Sequence, residues 1–176
     1  MSTKTISQVR FLTVRCSDSI VRPSNTTAYA AGDVISEITT NDHFTFTGIA
    51  NVGVYTGTLD AARCFSSANK STLPDLELWL FHTDIAEVAD NGVFAPTDAE
   101  MLTLVGIVDF PVASWKIGNP AADTGNVVCE VRNIGLPFRL AGSASAPYLY
   151  GQLVVRNAYT PVASEVFTVE LNLYQD

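Results

Sequence analysis

The chain has two histidines in 176 residues, three cysteines, and charged groups at only 16% of its positions. Each shortage removes a class of function. His43 and His82 stand in no recognisable motif, so a Ser/His/Asp or Cys/His catalytic site would rest on one of them alone. HxH, HExxH and CxxC spacings are absent, which removes the usual zinc frameworks. Cys16, Cys64 and Cys129 are odd in number and far apart, so they read as buried small hydrophobes rather than as disulfide or metal partners. AGSASAP, residues 141–147, has the small residues of a phosphate loop but no lysine. No catalysis, metal or cofactor is expected.

Bases are also scarce. Ten Lys and Arg face eighteen Asp and Glu, for a formal charge of −8, and such a chain lacks the basic face that phosphates require. Nucleic acid is therefore not an expected partner. No segment approaches the roughly 18 consecutive apolar residues of a membrane helix, and no membrane is expected either. The N-terminus MSTKTISQVR lacks the apolar core of a signal peptide, so the chain is expected to be made and folded in a cytoplasm.

What is present is apolar and patterned. Hydrophobic residues make up 47% of the chain, enough for one core, and residues 1–176 read as a single domain with 1–10 as an N-terminal arm. Charge is uneven along it. Residues 1–22 carry Lys4, Arg10, Arg15 and Arg22 against Asp18 alone, whereas the last twenty carry Glu165, Glu170 and Asp176 with no base. A basic arm could rest on an acidic surface, or Arg10 and Arg15 could line the wet face of the first strand.

Short alternating runs separated by turn residues make the fold all-β. Strands are expected at 9–16, from Val34, at 44–48 continuing to 52–54, at 75–81, at 105–108, at 127–132, at 149–156 and at 165–173. Residues 64–74 read as a polar connection and 157–164 as a hairpin turn. In Thr97-Asp98-Ala99-Glu100 the threonine can cap the first turn of a helix while Glu100 reaches back, which predicts a short helix near residues 97–104. The acidic stretch from Asp84 to Glu100 has oxygen ligands but not the calcium-loop spacing, and reads as a solvated loop. The whole is a two-sheet, jelly-roll-like β-sandwich, its strand order not legible.

DLELWLF, from Asp75 to Phe81, poses a specific problem. Leu76, Leu78 and Leu80 fill one face, but the other face begins with Asp75 and Glu77 and ends with Trp79 and Phe81. Either the helix near 97–104 folds over the two aromatics, or a second subunit covers them.

The stretches RPSNTTAYAAGDVIS, PDLELWLFHTD, ADNGVFAPTDAEM and LVGIVDF, with the closing YLYGQLVVRNAYTPVASEVFTVELNLYQD, together resemble small β-rich virion proteins of tailed bacteriophages, of the capsid decoration or cement type. The resemblance runs from about Val9 to Asp176 and implies a non-enzymatic structural protein on the outer surface of the head, made in the host cytoplasm. It implies a homo-oligomer, with a trimer favoured, bound to the major capsid protein lattice and bridging capsomers. The candidate interface residues are Trp79 and Phe81, with Arg10 and Lys4 of the arm. The alternatives are a tail, baseplate or receptor-binding component, and a carbohydrate-binding module using Tyr148, Tyr150, Tyr159 and Trp115 as its platform.

Overall fold

Alternation puts Leu76, Leu78 and Leu80 on one side of a strand, and all three are fully buried in the computed structural model of the chain. The structure describes residues 12–40, 42–50, 55–68, 73–117, 126–140 and 148–175. In chain order the strands are β1 (Leu12–Val21), β2 (Val34–Ile35), β3 (Phe44–Phe46), β4 (Thr56–Ser66) and β5 (Leu76–Phe81), followed by β6 (Leu104–Phe110), β7 (Trp115–Ile117), β8 (Val127–Arg139), β9 (Leu149–Val155) and β10 (Val166–Gln175). Helix α1 (Asp98–Met101) lies between β5 and β6.

All pairings are antiparallel, and five of them nest. β1 pairs with β10, β2 and β3 with β9, β4 with β8, and β5 with β6. Nested pairs make one long hairpin; wrapping it brings β10 beside β4 and β9 beside β5. The result is two sheets, in the orders β1-β10-β4-β8-β7 and β2-β9-β5-β6, with β3 also on β9. This is a jelly roll. β2 and β3 occupy the same edge of β9 in succession, at Val154 and Leu153 and then from Gly151 to Leu149.

The core fills the space between the sheets. β10 contributes Phe167, Val169, Leu171 and Leu173, all fully buried, each worth roughly 1.5–3 kcal/mol of transfer free energy. Facing them are Leu76, Leu78 and Leu80 of β5, Phe110 of β6, and Leu149 and Leu153 of β9.

The structure departs from the expected elements in five places, one of them β7, a strand that no expected run contained. β4 is a central strand of eleven residues and takes in Cys64 and Phe65, which read as part of a polar connection. Its inward side chains are small (Gly57, Ala62, Cys64) apart from Leu59, and its outward ones include Arg63, so no apolar alternation announces it. β1 runs on to Val21 through Ser17, Asp18 and Ser19, because an edge strand with a wet outer face tolerates polar residues there. β8 extends past Arg132 to Arg139 over a bulge, with Asn133 at φ 57° and Gly135 at φ 63°. The helix is a single turn: its capping box is formed, but it buries no side chain and Leu102 is 86% exposed. One turn without packing does not propagate, and Leu104 is already paired with Phe81 in the sheet. The strand expected at 52–54 lies outside the described residues.

Candidate interaction surfaces

The groups that could carry chemistry meet at most in pairs among the described residues, His43 with Asp84 and Cys64 with Cys129. His43 is buried, with Nε2 3.1 Å from Asp84 Oδ1 and its ring against the edge of Tyr150 at 5.7 Å. His82 contacts Thr83 through Nδ1. Burial pushes the Cys16 thiol up to about 12 and the Cys129 thiol to about 11, and holds the Cys64 thiol well above the ordinary value. Such thiols are poor nucleophiles and poor metal ligands. Among the described residues no group of three His, Cys, Asp or Glu side chains could hold a metal.

The acidic stretch from Asp84 to Glu100 is not simply solvated. Glu100 accepts from the amides of Ala86 and Thr97 and from the Thr97 hydroxyl, and these bonds lower its carboxyl pKa. Asp90 turns inward. It accepts from the Tyr29 hydroxyl at 2.5 Å and the Ser36 amide at 3.2 Å, and pairs with Arg22 at 3.0 Å. Arg22, read from sequence as part of a basic terminus, is fully buried and also donates to Tyr29 and to the carbonyl of Val162. Tyr29 stacks on Tyr159, whose hydroxyl donates to Glu165; Ser66 and the Val162 amide donate to the same carboxylate. Burial first, then the adjacent carboxylate, raises both phenols. The cluster ties together four segments that are distant in sequence, and it is structural. Only a lone arginine before a proline marked it in the sequence.

Trp79 and Phe81 are covered within the chain, but not by the expected helix. The cover is Phe94, whose ring meets Trp79 edge-on at 5.3 Å and Phe81 at 6.4 Å. The segment carrying it is held along β2: Val34 donates to the carbonyl of Gly92, Asn91 to that of Val34, and Phe94 to that of Gly32. Phe81 is thereby fully buried and offers a neighbour no surface, whereas Trp79 stays half-buried with its indole donating to Glu77 at 2.8 Å. Arg10 and Lys4 lie outside the described residues. Of the aromatic platform, Trp115 and Tyr159 are buried. That leaves Tyr148 and Tyr150, set edge to face at 66° rather than in a flat row.

The outer faces of the two sheets carry opposite charge. On the first, Glu170 of β10 stands opposite Arg63 of β4, and Arg63 opposite Glu130 of β8. Arg63 reaches both carboxylates at 2.6 Å, Arg15 joins Glu170, and Arg132 joins Glu130 at 2.6 Å. The ladder ends in a cation on each side. Beside it lies an open basin of about 440 Å³ lined by Arg63, Lys116, Arg132 and Glu130, with Phe65 and Val128. Three cations thus surround one carboxylate.

On the second sheet a basin of about 450 Å³ is lined by Asp75, Glu77, Asp109 and Arg156. Here the ratio is reversed. Glu77 and Asp109 are directly opposite across β5 and β6, a like-charge pairing that costs stability. Arg156, 2.6 Å from Glu77, offsets part of it. Next along the same face are Trp79 and, opposite it, Ile107, which is 41% exposed.

No protein-family model matches the chain, and no curated protein does. Among solved structures it aligns over 100% of its length with 94% of a chain in the cyanophage Pam1 capsid asymmetric unit, at 11% identity and a TM-score of 0.36. It aligns over 99% with 94% of a chain of Desmodium yellow mottle tymovirus, at 12% identity and 0.30. A chain of Triatoma virus is matched over 69% of its own length by the whole of this one, at 12% identity and 0.30. Likenesses this slight assign neither a family nor a function.

Proposed function

We propose that this chain is a non-enzymatic structural protein of a tailed-phage virion, and specifically a decoration or cement protein on the outer surface of the head. The observation that carries this reading is the pair of built, shallow, oppositely charged sheet faces. They are shaped to meet other protein surfaces, not to enclose a small substrate. Jelly rolls serve in capsids, lectins and cupins alike, so the fold does not choose among them. The resemblance of the sequence to small virion proteins supports the capsid reading among these, and the buried Trp115 and Tyr159 speak against the sugar platform. In this reading the chain self-associates as a trimer and bridges capsomers of the major capsid lattice, with the arm from Met1 to Arg10 as a lattice contact. The test adds purified protein to heads that lack it. Saturable uptake in a fixed ratio to capsid subunits, with heads surviving a higher temperature, is the expected result; no uptake ends the cement reading. Antibody labelling of whole particles distinguishes head from tail, and label at the tail would move the chain to the tail or receptor-binding alternative.

A further inference from the structure

We infer that copies of this chain join head to tail, the cationic basin of one copy seated on the acidic basin of the next. The inference deepens the self-association proposed above by naming the surfaces that meet. Three features on the two faces point to a second copy as the occupant.

The first is complementarity. Arg63, Lys116 and Arg132 against Glu130 leave the first basin at net +2, and Asp75, Glu77 and Asp109 against Arg156 leave the second at net −2, on the opposite sheet and in nearly equal volumes. The second is unfinished electrostatics on both sides. Glu77 faces Asp109 across the strands with one arginine between them, so a further cation relieves a repulsion already present. On the other face Lys116 is exposed and makes no ion pair among the described residues. The third is the apolar margin. Half-buried Trp79 and exposed Ile107 adjoin the acidic basin, and Phe65 and Val128 line the cationic one. Apolar surface beside a charged patch is surface that a protein neighbour can bury. Two different patches meeting head to tail form a heterologous contact, which generates a ring where the rotation closes, as the proposed trimer requires.

Sedimentation velocity on the full chain tests this. At about 50 mM salt the wild type should associate reversibly, and at about 500 mM, where screening shortens to a few ångström, its dissociation constant should rise at least ~10-fold. Lys116→Glu and Asp109→Lys change exposed residues on opposite faces, and each alone should weaken association by ~10-fold or more at low salt. Exchanging two charges on each face, Lys116→Glu with Arg132→Glu and Asp75→Lys with Asp109→Lys, takes the basins from net +2 and −2 to −2 and +2, and this chain should recover to within ~3-fold of wild type. Circular dichroism of each variant confirms that it is folded. A wild type that stays monomeric at ~100 μM in low salt, single variants that associate as the wild type does, or a charge-exchanged chain no better than the singles would each overturn the inference. Uptake by phage heads is scored separately. A monomer that still binds heads leaves the proposed function standing without this contact, and a chain that associates but ignores heads does the reverse.

Discussion

Cys64 on β4 and Cys129 on β8 stand directly opposite one another, both fully buried, in the middle of the first sheet. Neither is bonded to the other; both are free thiols. Desolvation raises each above the ordinary thiol value, and Cys16 is raised with them. Since only the thiolate reacts, native protein at pH 8 should label with a maleimide at Cys64 and Cys129 at least ~100-fold more slowly than a free thiol does. All three cysteines should label at once in denaturant. Rapid native labelling at either core position would mean that β4 and β8 open far more readily than their packing implies.

Arg22 and Asp90 form the buried charge pair on which the loop network turns, with side chains 0% and 7% exposed. Arg22→Met leaves Asp90 desolvated and uncompensated, and removes the donors to Tyr29 and Val162. Losses of about 3–5 kcal/mol are typical when one partner of a buried pair is removed. Urea unfolding of Arg22→Met should show a loss of that size, and adding Asp90→Leu should recover part of it. A loss below about 1 kcal/mol would show that the carboxylate finds water or another donor.

Gly57 is small for a reason unrelated to turns. A Cβ there would lie 2.6 Å from the backbone oxygen of Tyr174 and 2.7 Å from Cζ of Phe138. The carbonyl belongs to the neighbouring strand and cannot rotate away. Gly57→Ala should therefore cost about 1–3 kcal/mol by overpacking. Gly48 meets nothing within 4 Å but has φ +69°, so Gly48→Ala should cost about 1–2 kcal/mol through the backbone alone. Adding Phe138→Leu should remove only the ring contact, so it should leave the clash with the Tyr174 carbonyl and most of the first loss in place, and leave the second unchanged, as thermal melts of the four chains would show.

Glu100 links the one-turn helix to the segment that precedes it. The bond from the Ala86 amide, then those from the Thr97 amide and hydroxyl, hold its carboxyl below the ordinary value of 4.5. A carboxylate depressed by folding adds stability above its unfolded pKa and loses that stability as pH falls through the lower folded value. Protease nicking between residues 82 and 103 should therefore rise below about pH 4, before the sheets melt. Glu100→Ala should show the same nicking at pH 7, with a loss near 1 kcal/mol. Equal nicking of Glu100→Ala and wild type at pH 7 would mean that the segment is held by Phe94 and Asp90 alone.

The two-sheet architecture was legible because period two survives wherever a strand has one dry face. β5, β9 and β10 were plain for that reason, with Phe167, Val169, Leu171 and Leu173 spaced as the core requires. β4 was not legible. A central strand next to a ladder of ion pairs needs small residues inside and Arg63 outside, and that composition reads as a loop. The nested strand order depends on which runs pair, and single-strand periodicity carries no pairing information. The charged faces were hidden for the same reason. Arg63, Lys116 and Arg132 are scattered in sequence and meet only through the register of β4, β7 and β8. Arg22 and Asp90, 68 positions apart, looked like surface charges of two unrelated loops. Trp79 and Phe81 were correctly read as needing cover, but no pattern in the sequence joined Phe94 to them.

That cover allows a final test. Phe94 stands edge-on to both Trp79 and Phe81, which are themselves two positions apart on the outer face of β5. Phe94→Ala removes the shared neighbour of both rings while leaving β5 paired on each side by β6 and β9. The sheets should persist, so far-ultraviolet circular dichroism should hardly change. Trp79 should become wetter and its fluorescence should shift to the red, while Trp115, buried on the other sheet, stays as it was. Phe94 is itself only half-buried, so the stability loss should be about 1–3 kcal/mol. Phe81→Ala should cost more, about 3–5 kcal/mol, because the ring is fully buried. Trp79→Ala should cost the isolated chain less, since the indole is only half-buried, but it should weaken association as well, because Trp79 borders the acidic basin. Interface anchors of this kind often carry 2 kcal/mol or more. A Trp79→Ala chain that loses stability but associates as the wild type does would place Trp79 in the fold alone and leave the basin charges to hold the contact.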